Sequence, residues 1–293
     1  MEFLKALEQR ILTLDGAMGT ELMARGVKGA LELCNVENPE LVEAVHAAYL
    51  DAGADIITTN TTCADALCLK EYGLQERSYE LARAGAEIAR RMADKYSTAE
   101  RRRYVAGSVG PTSRNLTLAN DVKREDVAAA YADVVRGLLD GGVAMILIET
   151  ATDSANVTVA VDGVRKQNKQ IPIIVSAVLA RMEGRVASGA TIAKFVEQIP
   201  LDEVSVVGFN CTNGVKPLES ALKALAAATK KPIIAYPSVG QPSMPMTRYV
   251  KDMEQLCRAG LLNIAGGCCG TTPAHIAGIA KAAVRWRGHK FEK

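Results

Sequence analysis

The sequence predicts one α/β domain over residues 1–293: a closed (β/α)8 barrel with an extra N-terminal helix. Three observations carry this. Eight short runs rich in Ile and Val recur along the chain, and they are apolar almost throughout rather than alternating. That is the pattern of parallel strands buried on both faces. An amphipathic helical segment follows each run, and no linker rich in Pro, Gly or Ser breaks the series. Eight strand–helix units with no strand left over favour closure, in the TIM-barrel manner, over an open doubly wound sheet. At 293 residues, 48% apolar and 23% charged, the chain can fill such a core.

Taken in order, residues 1–10 read as a helix ahead of the first strand that covers the barrel's bottom. They carry Glu2, Lys5 and Glu8 with no apolar stretch, so they are not a secretory signal. Strands begin near Ile11, Ala54, Tyr104, Met145, Ile171, Glu203, Pro232 and Asn263. Helices are predicted over 39–52, 78–92, 125–140, 154–166, 191–198, 217–228, 247–259 and 273–286. Asn38 caps the first of these, Pro39 takes its first position and Gly53 stops it. Gly141, Gly142 and Gly260 stand at helix exits, where a left-handed residue is needed. The last four units are each about 30 residues, close to a minimal βα repeat. The first three carry insertions, chiefly 18–38 and 113–121.

Charge and cysteine usage exclude several classes. Lys plus Arg number 35 and Asp plus Glu 33, for a formal charge of +2, which is not a nucleic-acid binder's balance. The densest basic run, Arg101-Arg102-Arg103, reads as a solvated loop. No apolar stretch reaches the roughly 18 residues that a membrane span needs. Seven cysteines without a signal peptide point to a reducing, cytoplasmic setting and to free thiols or metal ligands.

In this architecture the active site lies at the C-terminal ends of the strands. Those ends carry Asp15, Thr59, Asn60, Ser108, Glu149, Ser176, Asn210, Cys211, Tyr236, Cys268 and Cys269. Consecutive strand residues face opposite ways, so Cys268 and Cys269 could share a metal only where the chain leaves strand geometry. Gly266, Gly267 and Gly270 would permit that. With Cys211 they would make three thiolates, a set that suits Zn²⁺ and leaves a fourth tetrahedral position for substrate. The competing reading is that these are small buried hydrophobes. The long separation of Cys211 from Cys268 excludes a zinc ribbon or finger. Glu149, directly after an apolar run, would suit the ammonium group of an amino acid. Asp15 is either part of an Asp-Gly turn or an orienter of the substrate's amino end or of the first loop. The Asn210 amide could bond substrate or orient its loop. Ser108 and the following Gly-Pro turn could offer backbone N–H groups to a carboxylate. Cys34, Cys63, Cys68, Cys257, His46, His275 and His289 read as packing or surface residues. Asp153 with Asn156 reads as a helix cap. The stretch GGCCG lacks the Lys-Ser/Thr of a phosphate loop.

The segments Leu14-Asp15-Gly16-Ala17-Met18-Gly19-Thr20, Gly208-Phe209-Asn210-Cys211 and Gly266-Gly267-Cys268-Cys269-Gly270-Thr271-Thr272-Pro273 strongly resemble the zinc-dependent homocysteine S-methyltransferase family. The runs from Tyr104 to Thr112 and Ile148-Glu149-Thr150, together with the Asp153–Asn156 pair, are similar to the homocysteine module of cobalamin-dependent methionine synthases. The resemblance spans about Ile11 to Ala283. It implies Zn²⁺ on Cys211, Cys268 and Cys269, homocysteine as methyl acceptor and methionine as product, with Glu149 on the acceptor's ammonium. It also implies a methyl-corrinoid (methylcobalamin) protein or module as donor. Short stand-alone members use S-methylmethionine or S-adenosylmethionine instead, but the 237–242 loop does not look like theirs. Betaine-dependent relatives have a long C-terminal extension that is missing here. The folate, cobalamin and reactivation modules are also missing, so the expectation is either a fragment or a stand-alone enzyme. Two positions depart from the methionine synthase pattern: Thr58 stands where Glu is usual and Thr62 where Phe is usual. A non-catalytic zinc- or thiol-binding barrel is the alternative of a different class.

Overall fold

The strands are β1 Leu12–Thr13, β2 Ile56–Thr58, β3 Tyr104–Val109, β4 Met145–Ala151, β5 Ile173–Val178, β6 Val206–Asn213, β7 Ile233–Ser238 and β8 Ile264–Ala265. They come from a computed structural model that describes residues 2–117, 121–181, 184–240 and 244–292. All eight are parallel, in the order β1-β8-β7-β6-β5-β4-β3-β2. The two ends of that order meet. Leu14 pairs with Ile56, the Asp55 N–H donates to Thr13 O at 2.7 Å, and the Asp15 N–H donates to Ile56 O at 2.9 Å. The sheet is therefore a barrel, as predicted.

Strand alternation divides the core in two. Leu12, Leu14, Ile56, Ala106, Met145, Leu147, Ile174, Val206, Ile234 and Ile264 fill the barrel. The intervening residues, such as Ile57, Val105, Ile146, Val175, Val207 and Ile233, pack outward against Val45, Ile88, Leu138, Val164, Leu222 and Ile276 of the helices. Helix α1, Glu2–Gln9, plugs the bottom. Its Phe3 and Leu7 join the inner cluster, and the Phe3 ring meets Tyr104 edge-on at 5.7 Å.

The remaining helices are α2 Met18–Ala24, α3 Cys34–Glu37, α4 Pro39–Asp51, α5 Ala66–Leu69, α6 Ser78–Tyr96, α7 Arg124–Asp140, α8 Ser154–Gln167, α9 Ile192–Gln198, α10 Leu218–Ala228, α11 Met246–Arg258 and α12 Pro273–Ala283. The insertion at 18–38 holds α2 and α3. In the insertion at 113–121, residues 118–120 lie outside the described residues. Its near end is pinned by Asn156, which accepts from the Leu116 N–H at 2.9 Å and donates to Arg114 O at 3.0 Å.

One expectation is corrected. The Arg101–Arg103 run is a loop, but two of its guanidinium groups serve a buried charge. Asp55 is fully buried, and it accepts from Arg101 Nε at 2.8 Å and Arg103 Nη1 at 3.4 Å. Arg10 adds two bonds at 2.6 and 3.0 Å. A carboxylate taken out of water needs such partners, and a run of arginines does not reveal that it supplies them.

Candidate metal centre and pocket

Two strands break register where the chemistry begins. Along β4 the pairing with β5 jumps from Ile148↔Val175 to Ala151↔Ala177, and along β6 the pairing with β7 jumps from Asn210↔Tyr236 to Asn213↔Ser238. Each jump is a bulge, with two residues opposing one, and bulges re-aim side chains. Thr150 and Cys211 sit in these bulges at φ 57° and 53°, left-handed values that are unusual for residues other than glycine.

Cys268 is set by the end of β8. Its N–H donates to Pro237 O at 2.9 Å, while its carbonyl accepts from the Thr271 hydroxyl at 2.7 Å and the Thr271 N–H at 3.0 Å. This turn, with Gly270 at φ 80°, carries Cys269 back beside Cys268. Gly267 earns its place by close approach rather than by φ: a Cβ there would lie 2.5 Å from the Thr271 hydroxyl oxygen.

The Sγ atoms of Cys211 and Cys269 are 3.7 Å apart and those of Cys268 and Cys269 are 3.9 Å apart, with all three within 4.8 Å of one another. Zn–S bonds of about 2.3 Å at tetrahedral angles put sulfurs roughly 3.8 Å apart. The set fits a tetrahedral metal, and these separations are far beyond the ~2.05 Å of a disulfide. Among the described residues no other group of three or more His, Cys, Asp or Glu is so gathered. Hydrogen bonds from Cys268, Cys269 and Ser238 pull the Cys211 thiol far below its ordinary range, and the contact with Cys211 pushes Cys268 up.

The three cysteines form one wall of a cavity of about 300 Å³, whose other walls include Asp15, Thr58, Thr62, Glu149 and Tyr236. Glu149 is 8% exposed. Its Oε1 accepts from the Ser108 hydroxyl and, at 3.4 Å, from Thr62; its Oε2 accepts from the Tyr236 hydroxyl at 3.1 Å. Asp15 is buried and accepts from the Thr58 N–H at 2.8 Å and the Thr58 hydroxyl at 3.1 Å. Burial pushes both carboxyls above the ordinary range, and the charge of Glu149 raises Asp15 further. No Lys or Arg lines the cavity among the described residues. The two buried carboxyls of the cavity therefore have no cationic side chain beside them among the described lining residues.

The structure brings Asp15, Glu149, Cys211, Cys268 and Cys269 to one cavity. It places Ser108 and Asn210 behind it, both fully buried. The Ser108 N–H does not serve a carboxylate ligand: it donates to Thr59 Oγ1 at 2.9 Å, and the Gly110 N–H donates to Thr62 O at 3.0 Å. Ser108 instead braces Glu149. The Asn210 amide bonds Thr150 and Ser176. Tyr236 was legible as a strand end but not as a partner of Glu149. Inward alternation from Ile234 was the available signal. Thr58 and Thr62, the two departures from the family pattern, both touch a pocket carboxylate.

Other candidates are packing or capping residues. Cys257 is buried, which pushes its thiol up to about 12. His46 is fully buried with neither ring nitrogen bonded, and burial pulls it down to about 3, so it is neutral. His275 Nδ1 accepts from the Thr272 N–H at 3.2 Å. Asp153 caps α8 through the Asn156 N–H at 2.9 Å. The 237–242 loop extends past Gly240 outside the described residues.

Comparison with known proteins identifies the family. The family model for homocysteine S-methyltransferase matches residues 12–283. The chain is 33% identical to a methionine synthase of Mycobacterium leprae over 97% of its own length, and 33% identical to that of Mycobacterium tuberculosis over 96%. It spans about a quarter of the length of those relatives, 25% in each case. Among solved structures it is similar to the homocysteine methyltransferase MmuM from Escherichia coli. The oxidised form gives a TM-score of 0.80 at 29% identity, covering 92% of this chain and 95% of that one. The metallated form gives 0.78 at 30% identity, covering 94% and 96%. The chain belongs to the homocysteine S-methyltransferase family.

Proposed function

We propose that this chain, as one homocysteine-binding domain over residues 1–293, transfers a methyl group to the sulfur of homocysteine and yields methionine. Cys211, Cys268 and Cys269 would hold a Zn²⁺ ion. The observation that carries this reading is the placement of three sulfurs at tetrahedral spacing in the wall of a cavity that also holds Glu149 and Asp15. Bound there, zinc supplies the Lewis acidity that lets an acceptor thiol react as thiolate at neutral pH, where a free thiol near pKa 8.5 is mostly protonated. The chain's own residues do the rest. Glu149 takes the acceptor's ammonium, held in place by Ser108 and Tyr236. Asp15, clamped by Thr58, adds negative charge on the same side.

Two donors fit. A methylated corrinoid on a separate protein or module is supported by the similarity to methionine synthases, of which the chain spans a quarter. A small sulfonium donor such as S-methylmethionine is supported by the coverage of 95% of MmuM. A cationic sulfonium would also gain from a site lined by thiolates and carboxylates. Such thiols need a reducing compartment, which agrees with a cytoplasmic setting.

The test is direct. The zinc-loaded chain is given homocysteine with free methylcobalamin, a methyl-corrinoid protein or S-methylmethionine in parallel, and methionine is measured by mass spectrometry. One of the three should support turnover. X-ray absorption at the zinc edge should show three sulfur scatterers, rising to four with homocysteine. Cys211→Ala, Cys268→Ala and Cys269→Ala should each lose zinc and activity, while Cys257→Ala should lose neither. Zinc binding with an unchanged sulfur count and no methionine from any donor would favour a non-catalytic thiol-binding barrel.

A further inference from the structure

The two rim bulges flank β5, and one side chain joins them. In β4, Glu149 and Thr150 stand opposite Ser176; in β6, Cys211 and Thr212 stand opposite Pro237. Each bulge holds its left-handed residue next to, or as, a pocket residue: Thr150 follows Glu149, and Cys211 is itself one of the gathered thiols. A left-handed backbone at a non-glycine residue persists only where its surroundings hold it, and β-branched threonine takes it least readily.

Asn210 supplies the hold. Its Oδ1 accepts from the Thr150 N–H at 3.0 Å and from the Ser176 hydroxyl at 2.9 Å, and its Nδ2 donates to Thr150 Oγ1 at 2.9 Å. The amide therefore reaches over β5 and closes on the backbone and the side chain of the same threonine. A bulge takes an N–H out of the strand ladder, and a buried N–H needs another acceptor. Asn210 provides it for Thr150 while its own backbone leads directly into Cys211.

We propose that Asn210 is the positioning residue that couples the two halves of the site. Through Thr150 it fixes Glu149, which meets the acceptor's ammonium. Through its own backbone it fixes the left-handed turn that aims Cys211 at Cys268 and Cys269. This rests on the reading of the cysteines as metal ligands and of Glu149 as a substrate contact. Asn210 itself is fully buried behind the cavity and is not among its lining residues.

The test uses the full chain loaded with zinc. In Asn210→Ala, zinc release to a chromogenic chelator should accelerate, by about 10- to 100-fold for the loss of a group that supports a ligand. The KM for homocysteine should rise in the same variant, and amide hydrogen exchange at Thr150 should accelerate. Asn210→Asp should restore slow exchange, because a carboxylate accepts from the same N–H and from Ser176 while the Thr150 hydroxyl turns to donate. Adding Thr150→Gly to Asn210→Ala should restore the KM but not the zinc-release rate, since glycine takes the left-handed conformation freely and Cys211 still lacks its support. If Asn210→Ala does not fold, Ser176→Ala carries the same test with a smaller effect in the same direction. Wild-type zinc release together with unchanged exchange at Thr150 would overturn the proposal, and faster exchange without faster zinc release would overturn the coupling. If the wild type takes up no zinc, the metal reading fails, and exchange at Thr150 alone decides whether Asn210 holds the bulge.

Discussion

On the proposed reading, Glu149 and Asp15 serve binding at a cost to the ligand-free fold, because burial raises both carboxyls. Both are buried carboxyls whose hydrogen bonds come from hydroxyls and one N–H, with no cationic side chain among the cavity's described lining. Glu149→Gln should therefore act in opposite directions in two measurements. Its amide oxygen can still accept from Ser108 and Thr62, and the Tyr236 hydroxyl can turn to accept from the new NH2. The charge is gone, so calorimetry of the ligand-free protein at pH 7 should show a higher Tm than wild type. Titration with homocysteine should show binding weakened by about 1.5–3 kcal/mol, the usual range for a hydrogen bond to a charged group. Zinc content should not change. A lower Tm together with unchanged homocysteine affinity would remove Glu149 from the ammonium role. At this scale the sequence was partly legible. Residue type and strand-end position singled out Asp15, Glu149 and the cysteines. Nothing local said that Thr58 would clamp Asp15 or that Ser108 would brace Glu149, because those contacts join residues 43 and 41 positions apart.

Helix α1 stabilises the barrel from the end opposite the pocket. Phe3 and Leu7 are almost fully buried among the inward-facing residues at the start of the strands. Phe3→Ala should cost about 3–5 kcal/mol and Leu7→Ala about 2–5 kcal/mol, as large-to-small changes in a packed core do. Urea unfolding should show the loss, while zinc content and homocysteine affinity stay at wild-type values below the transition. A loss of zinc in folded Phe3→Ala would mean that the bottom plug and the rim are coupled. The helix was legible as a cover, as were β3 to β7, because their apolar runs are long and unbroken. β1 and β8 shrink to two ladder residues each, since Asp15 and the glycines after Ala265 turn the chain toward the pocket. Helices α2, α3 and α5 were not legible. They have four to seven residues, too few to form by propensity, and tertiary packing makes them.

Closure of the whole barrel concentrates on Asp55. The β1–β2 junction has a single ladder bridge, and Asp55 reinforces it by bonding Thr13 in both directions, N–H to O at 2.7 Å and Oδ2 from N–H at 3.0 Å. Its carboxylate also draws in Arg10 from before β1 and Arg101 and Arg103 from before β3. Burial alone would raise this carboxyl. The hydrogen bonds from Arg10 and the Thr13 N–H, with the charges of Arg10 and Arg101, more than offset that, and the group lies below the ordinary range. A depressed carboxyl contributes stability above its unfolded pKa, about 3.9, and loses it as pH falls through the folded value. Asp55→Asn leaves partly buried guanidiniums without their counter-charge, Arg103 above all with its side chain 10% exposed. The variant should be less stable at pH 7 by about 3–5 kcal/mol, the usual effect of breaking a buried ion pair. Asparagine does not titrate, so the gap between wild type and variant should stay constant from about pH 8 to 5 and close as pH falls below about 4. Urea midpoints measured across that range test both the size and the sign. A variant as stable as wild type at pH 7, or a gap that persists undiminished at pH 3, would show that the junction is held by its backbone bonds and not by this charge.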